Sequence, residues 1–126
     1  MNTFILDSNI LIYLIAQNAE VDDFINSLCA NEFAMSAISY LEVLVGAGKS
    51  GKKRKEVESF LEEVHILAFD KKIAQKAIRL QEASSKKLKF KDLAIAATAL
   101  IHKMPLVTAD KDFKSIAGLE MKYVKI

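Results

Sequence analysis

Residues 3–11 read TFILDSNIL, an apolar run that stops at Asp7 and continues through Ser8 and Asn9 before apolar residues resume. Its β-branched and aromatic residues predict a short buried strand over residues 3–7. Ser8 or Asn9 can then cap the apolar helix that follows. A carboxylate at the end of a buried strand is unfavourable unless it has a partner, so this stretch raises the question of what Asp7 binds.

Strands and helices alternate along the rest of the chain. Further strands are predicted at EFAM (32–35), HILAF (65–69), LVTAD (106–110) and MKYVKI (121–126). The helices predicted between them are residues 10–17, 21–28, 37–46, 57–64, 73–80 and 93–103. This alternation indicates an α/β fold of three layers, α/β/α, in which helices cover both faces of a mostly parallel central sheet. We expect a single domain over residues 1–126.

Several local features of the helices follow from residue type. Ser36 is expected to cap helix 37–46, Asp70 to cap helix 73–80, and Asp92 to open the last helix. Helix 37–46 is apolar nearly all round, so we expect it to be buried. Cys29 lies in an apolar stretch, where a buried and inert thiol is the expectation.

Composition and charge exclude several classes of protein. Hydrophobic residues make up 52% of the chain, which excludes a disordered tail. No apolar run is long enough to span a bilayer, and the N-terminus lacks the features of a secretion signal, so we expect a cytoplasmic protein without a membrane partner. The single cysteine excludes an internal disulfide and a cysteine-based metal cage.

Two runs of the sequence are dense in lysine and arginine, although the net charge is only +2. They are KSGKKRK (49–55), which contains Lys52, Lys53 and Arg54, and KKLKFK (86–91). Such runs are either solvated loops or contacts for the phosphates of a nucleic acid. Composition alone leaves both interpretations open.

Four acids stand where one edge of the predicted sheet would collect them. Asp7 and Asp110 end strands, Asp92 starts a helix, and Glu42 interrupts an apolar helix. Each has a local alternative, because Asp92 can be a helix cap worth about 1 kcal/mol and Asp110 can belong to a turn with Asp112. Carboxylates that share one site repel one another, and a hard divalent ion, Mg²⁺ or Mn²⁺, is the natural partner of such oxygen ligands.

Four motifs resemble those of the PIN-domain family, in the same order and at similar spacing. They are FILDSNILIY (4–13), SAISYLEVLVGA (36–47), KDLAIAATAL (91–100) and LVTADKDF (106–113). The resemblance covers nearly the whole chain and is greatest to the VapC ribonuclease toxins of VapBC toxin–antitoxin pairs. It implies that the acidic catalytic set is Asp7, Glu42, Asp92 and Asp110, with Asp112 as a possible fifth metal ligand and Thr108 and Asn9 as auxiliary polar residues.

The family pattern often has a basic residue where this chain has Ala109. Whether Asp110 or Asp112 approaches the metal more closely therefore stays open.

The resemblance also implies an activity and partners. The activity is hydrolysis of RNA phosphodiester bonds, with one or two Mg²⁺ or Mn²⁺ ions activating a water and neutralising the phosphate. The implied partners are the RNA substrate, a small antitoxin protein and a second copy of the chain. In this context Lys52, Lys53 and Arg54 become candidate RNA contacts. The sequence leaves open which RNA is cut, and whether the protein is a toxin or another small PIN-domain nuclease.

Two alternatives belong to different functional classes. LEVLVGAGKS (41–50) imitates the strand and glycine-rich loop of a P-loop nucleotide-binding protein, but Val43 stands where the full motif needs a glycine. The second alternative is a non-catalytic binding module of the same fold. The presence of all four acids argues against it.

Overall fold

The structure is a computed structural model and describes residues 2–126. Strands and helices alternate across this range, as the sequence predicts. The strands are β1 Thr3–Leu6, β2 Glu32–Ser36, β3 His65–Leu67, β4 Leu106–Thr108 and β5 Met121–Tyr123. The helices are α1 Ser8–Ile15, α2 Ala19–Ser27, α3 Ala37–Gly46, α4 Lys52–Leu61, α5 Lys71–Ala83 and α6 Phe90–His102, and a 3₁₀ turn at Lys111–Ser115 connects the last two strands.

The five strands form one sheet in the order β3-β2-β1-β4-β5, and every neighbouring pair is parallel. The chain first adds β2 and β3 on one side of β1, and then crosses over to add β4 and β5 on the other side. The direction in which the chain adds strands to the sheet therefore reverses between β1 and β4, and the carboxyl ends of these two parallel strands lie side by side. Open parallel sheets bind their ligands beyond the strand ends at such a point.

Helices cover both faces of the sheet, so the predicted three layers are confirmed. Side chains of a strand point alternately to opposite faces. Phe4 and Leu6 accordingly pack in one apolar cluster with residues of α1, α2, α3 and α4. Ile5 lies in the other cluster, with residues of α5, α6 and the segment that contains Phe113.

The start of α1 differs from the prediction. β1 ends at Leu6, and Asp7, rather than Ser8 or Asn9, is the residue that caps α1. The backbone carbonyl of Asp7 accepts the N–H of Ile10 at 3.0 Å, but its side chain makes no capping hydrogen bond. The carboxylate of Asp7 is therefore left for another role.

The other predicted helix caps have mixed outcomes. Ser36 accepts the N–H of Ile38 at 3.1 Å, and Asp70 accepts that of Ile73 at 3.0 Å, so both of these caps are confirmed. The prediction that Asp92 opens the last helix was wrong, because α6 begins at Phe90 and places Asp92 in its first turn.

Two predictions about exposure and one about secondary structure were wrong. Helix α3 exposes Leu41 (60%) and Val45 (71%), because it buries only the face that packs on the sheet and its neighbouring helices. Cys29 is exposed, at a residue with φ of 51° where the chain turns after α2. The run Lys52–Arg54 belongs to the first turn of α4 rather than to a loop.

The P-loop interpretation is excluded by the secondary structure. A P-loop needs a strand before its glycine-rich segment. The residues before Gly48 form helix α3 instead. Between residues 2 and 126, none of the helices has the length and apolar character needed to cross a bilayer.

Candidate active site

Three carboxylates from separate parts of the sequence come together beyond the ends of β1 and β4. Asp7 follows β1 and is 2% exposed, Asp92 lies in the first turn of α6 and is 7% exposed, and Asp110 follows β4. They are close enough for their charges to interact, because Asp110 contributes to raising the pKa of both Asp7 and Asp92. Burying like charges together is unfavourable, so this group needs a compensating partner.

The hydroxyl of Thr108 ties two of these acids together. It donates a hydrogen bond to Oδ2 of Asp7 at 2.7 Å and accepts one from the backbone N–H of Asp110 at 3.0 Å. The parallel pairing of β1 with β4 makes this contact possible, since the backbone N–H of Asp7 donates to the carbonyl of Val107 at 3.0 Å. Thr108 itself is fully buried, so the orientation of the Asp7 carboxylate is fixed from inside the sheet.

Burial raises the pKa of both Asp7 and Asp92 above the ordinary aspartate range. For Asp7, the hydrogen bonds from Thr108 and from the backbone of Ser8 oppose this rise in pKa, as does the charge of Lys91. For Asp92, the charges of Asp110 and Asp7 raise the pKa further. A cation placed among these groups would relieve both burial and repulsion.

Glu42 is held by Lys91, which stands out in the sequence only as part of a basic run. Nζ of Lys91 lies 3.1 Å from Oε2 of Glu42, and the two side chains are 34% and 40% exposed. Partial burial alone lowers the pKa of Lys91, but Glu42, Asp7 and Asp92 raise it above its ordinary value. Lys91 therefore keeps a positive charge beside the acids. Its position directly before Asp92 was the signal available in the sequence.

The donor set fits a hard divalent ion. Within residues 2–126, no three or more His, Cys, Asp or Glu side chains are preassembled as a cage around one ion. Mg²⁺ does not require such a cage, because it is commonly bound by one or two carboxylates with water and substrate phosphates completing its coordination. Oε1 of Glu42 is buried and has no hydrogen-bond partner among the described residues. The acid group of Asp7, Asp92 and Asp110 offers oxygen ligands only, and Glu42 is linked to it through Lys91, whose pKa is raised by Glu42, Asp7 and Asp92.

The remaining residues predicted for the site lie at its edge or outside it. Asp112 is exposed, and its backbone N–H donates to Oδ1 of Asp110 at 2.8 Å, which orients Asp110 within the 3₁₀ turn. Asp110 is half-buried and raises the pKa of both Asp7 and Asp92, whereas Asp112 is exposed, and this favours Asp110 as the inner acid. Asn9 is exposed on the first turn of α1.

The basic residues of α4 are engaged within their own helix and the turn before it. Lys52 lies 3.9 Å from Glu56, and Arg54 forms a 3.0 Å ion pair with Glu58 and donates to the carbonyl of Gly48. Lys53 lines a separate pocket with Ala16 and Gly46. The contacts that the structure shows for these three residues therefore do not include the acids.

Comparisons with known proteins agree with the fold and the motifs. The family model of the PIN domain matches residues 4–119. No curated protein sequence matches the chain significantly.

Similar solved structures include chains of toxin–antitoxin complexes. One is VapBC2 from Rickettsia felis bound to a DNA fragment from its promoter, with 26% identity, a TM-score of 0.84 and coverage of 98% of this chain and 99% of that chain. Another is a toxin–antitoxin complex from Klebsiella pneumoniae, with 31% identity, a TM-score of 0.83 and the same coverage. A third is VapBC-1 from nontypeable Haemophilus influenzae, with 26% identity, a TM-score of 0.78 and coverage of 96% and 97%. Because the family model matches nearly the whole length of this chain, the chain belongs to the PIN-domain family.

Proposed function

We propose that this protein is a divalent-metal-dependent endoribonuclease and the toxin of a type II toxin–antitoxin pair. The observation that carries the nuclease proposal is the group formed by Asp7, Asp92 and Asp110 where the sheet changes direction. Buried carboxylates that repel one another are unfavourable for a fold, and they persist where a cation compensates them.

In this proposal the residues of the chain bind and orient the reactants. Asp7, Asp92 and Asp110 would hold the ion, and the hydrogen bond that Thr108 donates to Oδ2 fixes the orientation of the Asp7 carboxylate. A bound Mg²⁺ or Mn²⁺ supplies Lewis-acid chemistry, which lowers the pKa of a water and neutralises charge on the phosphate. Lys91 adds a further positive charge for the phosphate of the RNA backbone.

The carboxylates would also orient the water whose oxygen forms the new bond to phosphorus. The bond from phosphorus to the sugar 3′-oxygen breaks, and the leaving oxygen takes up a proton in exchange for the one that the attacking water loses. Positioning of this kind converts a collision between separate molecules into a reaction within one complex.

The toxin part of the proposal is supported by the similarity to chains of toxin–antitoxin complexes. We infer a small antitoxin protein and a second copy of this chain as partners. Large apolar side chains are exposed on α1, α3, α5 and α6: Ile12, Leu41, Val45, Ile78 and Phe90. Of these, Ile78 and Phe90 line one apolar groove together with Phe69 and Leu93. A contiguous exposed apolar surface of this kind is typical of proteins that bind other proteins.

An RNA cleavage assay tests the nuclease proposal. The native protein is expected to cut RNA with Mg²⁺ or Mn²⁺ and to be inactive in EDTA, and Asp7→Asn is expected to lose most activity. Asp70→Asn is the matched control, because it makes the same chemical change at a cap of α5 outside the acid group. Full activity in EDTA, or equal activity of Asp7→Asn and the native protein, would contradict the proposal.

Light scattering on the purified chain tests the homodimer. A dimer has twice the chain mass of 14.0 kDa. A mass of one chain across the micromolar range would contradict this part of the proposal.

A further inference from the structure

A cleft adjoins the acids on the flank of the sheet formed by β4 and β5. Its volume is about 520 Å³, and its walls include Asn9 and Tyr13 from α1, Asp110 and Lys111 after β4, and Tyr123 of β5. Asp110 belongs both to this cleft and to the acid group. The cleft therefore continues the site, and an extended ligand bound at the acids would reach into it.

The walls of the cleft combine the side chains that recognise a nucleobase. Single-stranded RNA is read by stacking of its bases on aromatic rings and by hydrogen bonds to their edges. Tyr13 and Tyr123 offer aromatic surface, and the amide of Asn9 can both donate and accept hydrogen bonds. Lys111 lies in the wall, and Nζ of Lys114 lies 5.3 Å from the ring centroid of Tyr123. These two ammonium groups suit the phosphates that flank a bound base.

The two tyrosines differ in what else they do. Tyr13 packs against the apolar cluster beneath α1, so its ring contributes to the fold. Tyr123 belongs to neither of the apolar clusters of the described residues. β5 pairs with β4 through its backbone, and Tyr123 lies opposite Thr108 in that register. Lys114 places its Nζ over the Tyr123 ring, so a base would stack on the part of the ring that lines the cleft. The ring can be removed without opening either cluster.

We propose that this cleft binds the nucleobase next to the scissile phosphate, with Tyr123 as the stacking surface and Asn9 as the group that reads the edge of the base. The inference rests on the proposed ribonuclease function, and it assigns the choice of cleavage sequence to this flank of the site. The ligand is one unpaired base of a single RNA strand.

The test measures binding of short single-stranded RNAs to protein that carries Asp7→Asn, so that cleavage does not interfere. In this background Tyr123→Ala is expected to weaken binding about 5- to 150-fold, the range observed for loss of one base–aromatic stack. Tyr123→Phe keeps the ring and is expected to bind like the background protein. Phe69→Ala is the matched control, because Phe69 is an exposed aromatic residue that does not line this cleft. Melting temperatures show that each variant is folded.

A scan with abasic nucleotides identifies the stacked base. Removing the base at one position of the RNA is expected to weaken binding to the background protein by about the same factor as Tyr123→Ala, and to cause little further loss in that variant. If Tyr123→Ala binds RNA as tightly as Phe69→Ala, or if no abasic position shows this coupling, the inference is wrong. Cleavage of RNA by the protein without Asp7→Asn reports separately on the proposed function. If that protein cuts RNA but Tyr123→Ala does not weaken RNA binding, the base site is refuted and the ribonuclease proposal stands.

Discussion

Thr108→Val removes a hydroxyl from the interior of the site and keeps the shape of the side chain. Two hydrogen bonds disappear, one to Oδ2 of Asp7 at 2.7 Å and one from the backbone N–H of Asp110 at 3.0 Å. A hydrogen bond to a charged group contributes about 1.5–3 kcal/mol, and a buried group left without a partner costs about 1–3 kcal/mol. Because the N–H of Asp110 is only partly buried, we expect the free energy of unfolding at pH 7 to fall by about 2–4 kcal/mol.

The destabilisation by Thr108→Val should depend on pH. Burial raises the pKa of Asp7 in the folded state above its ordinary value of 3.8. Protonated Asp7 therefore stabilises the fold fully below about pH 4, and this stabilisation is lost as the pH rises through the folded-state pKa. The Thr108 hydroxyl lowers that pKa, and the variant should therefore have a higher one. Urea unfolding in EDTA between pH 4 and pH 8 should show a smaller difference from the native protein at pH 4 than at neutral pH, because only the loss of the bond to Asp7 depends on pH. A destabilisation that is the same at every pH, or below about 0.5 kcal/mol at pH 7, would refute this role of Thr108.

Three further variants separate the contributions of capping, surface charge and ion pairing. Asp70→Ala should lower the free energy of unfolding by about 0.5–2 kcal/mol, the usual cost of removing a cap, and leave RNA cleavage intact; a folded but inactive variant would place the site elsewhere. Replacing Lys52, Lys53 and Arg54 with Ser should reduce the slope of log K for single-stranded RNA against log salt by about 0.7 for each phosphate that the native side chains neutralise. An unchanged slope would show that these three side chains are solvated and do not contact the phosphates of the RNA. Lys91→Met should tighten Mn²⁺ binding, because it removes a competing cation from the site, and an affinity equal to or weaker than the native value would contradict this.

The order of strands and helices was predictable because each element has its own apolar pattern. The alternation of Phe4, Ile5 and Leu6 between the two faces of the sheet follows from the geometry of one strand. The exposure of α3 was not predictable, since Leu41 and Val45 are as apolar as the residues that it buries. Which face of such a helix meets the sheet depends on its neighbours, and a local pattern carries no information about them.

The sequence was sufficient to predict which acids lie near one another at the ends of the strands. Asp7 and Asp110 follow strands that are parallel and adjacent, so their meeting follows from the topology. The position of Lys91 beside Glu42 was not predictable, because the two residues are separated by 49 positions in the sequence and meet only through the packing of α3 on α6. The cleft at Tyr123 was missed for the same reason, since its walls come from α1, β5 and the segment after β4.

The melting temperature of the native protein with and without Mn²⁺, compared with that of Asp92→Asn, tests most directly whether the acid group is a metal site. At a Mn²⁺ concentration 100 times the Kd, binding stabilises the folded state by about 2.7 kcal/mol, which raises the melting temperature of a domain of this size by on the order of 10 °C. The Asp92→Asn variant loses a buried charge and a proposed metal ligand together, so its rise on adding Mn²⁺ should be much smaller, while Asp70→Asn should respond like the native protein. Equal rises in the native protein and in Asp92→Asn, or no rise in either, would contradict a metal site built on these carboxylates.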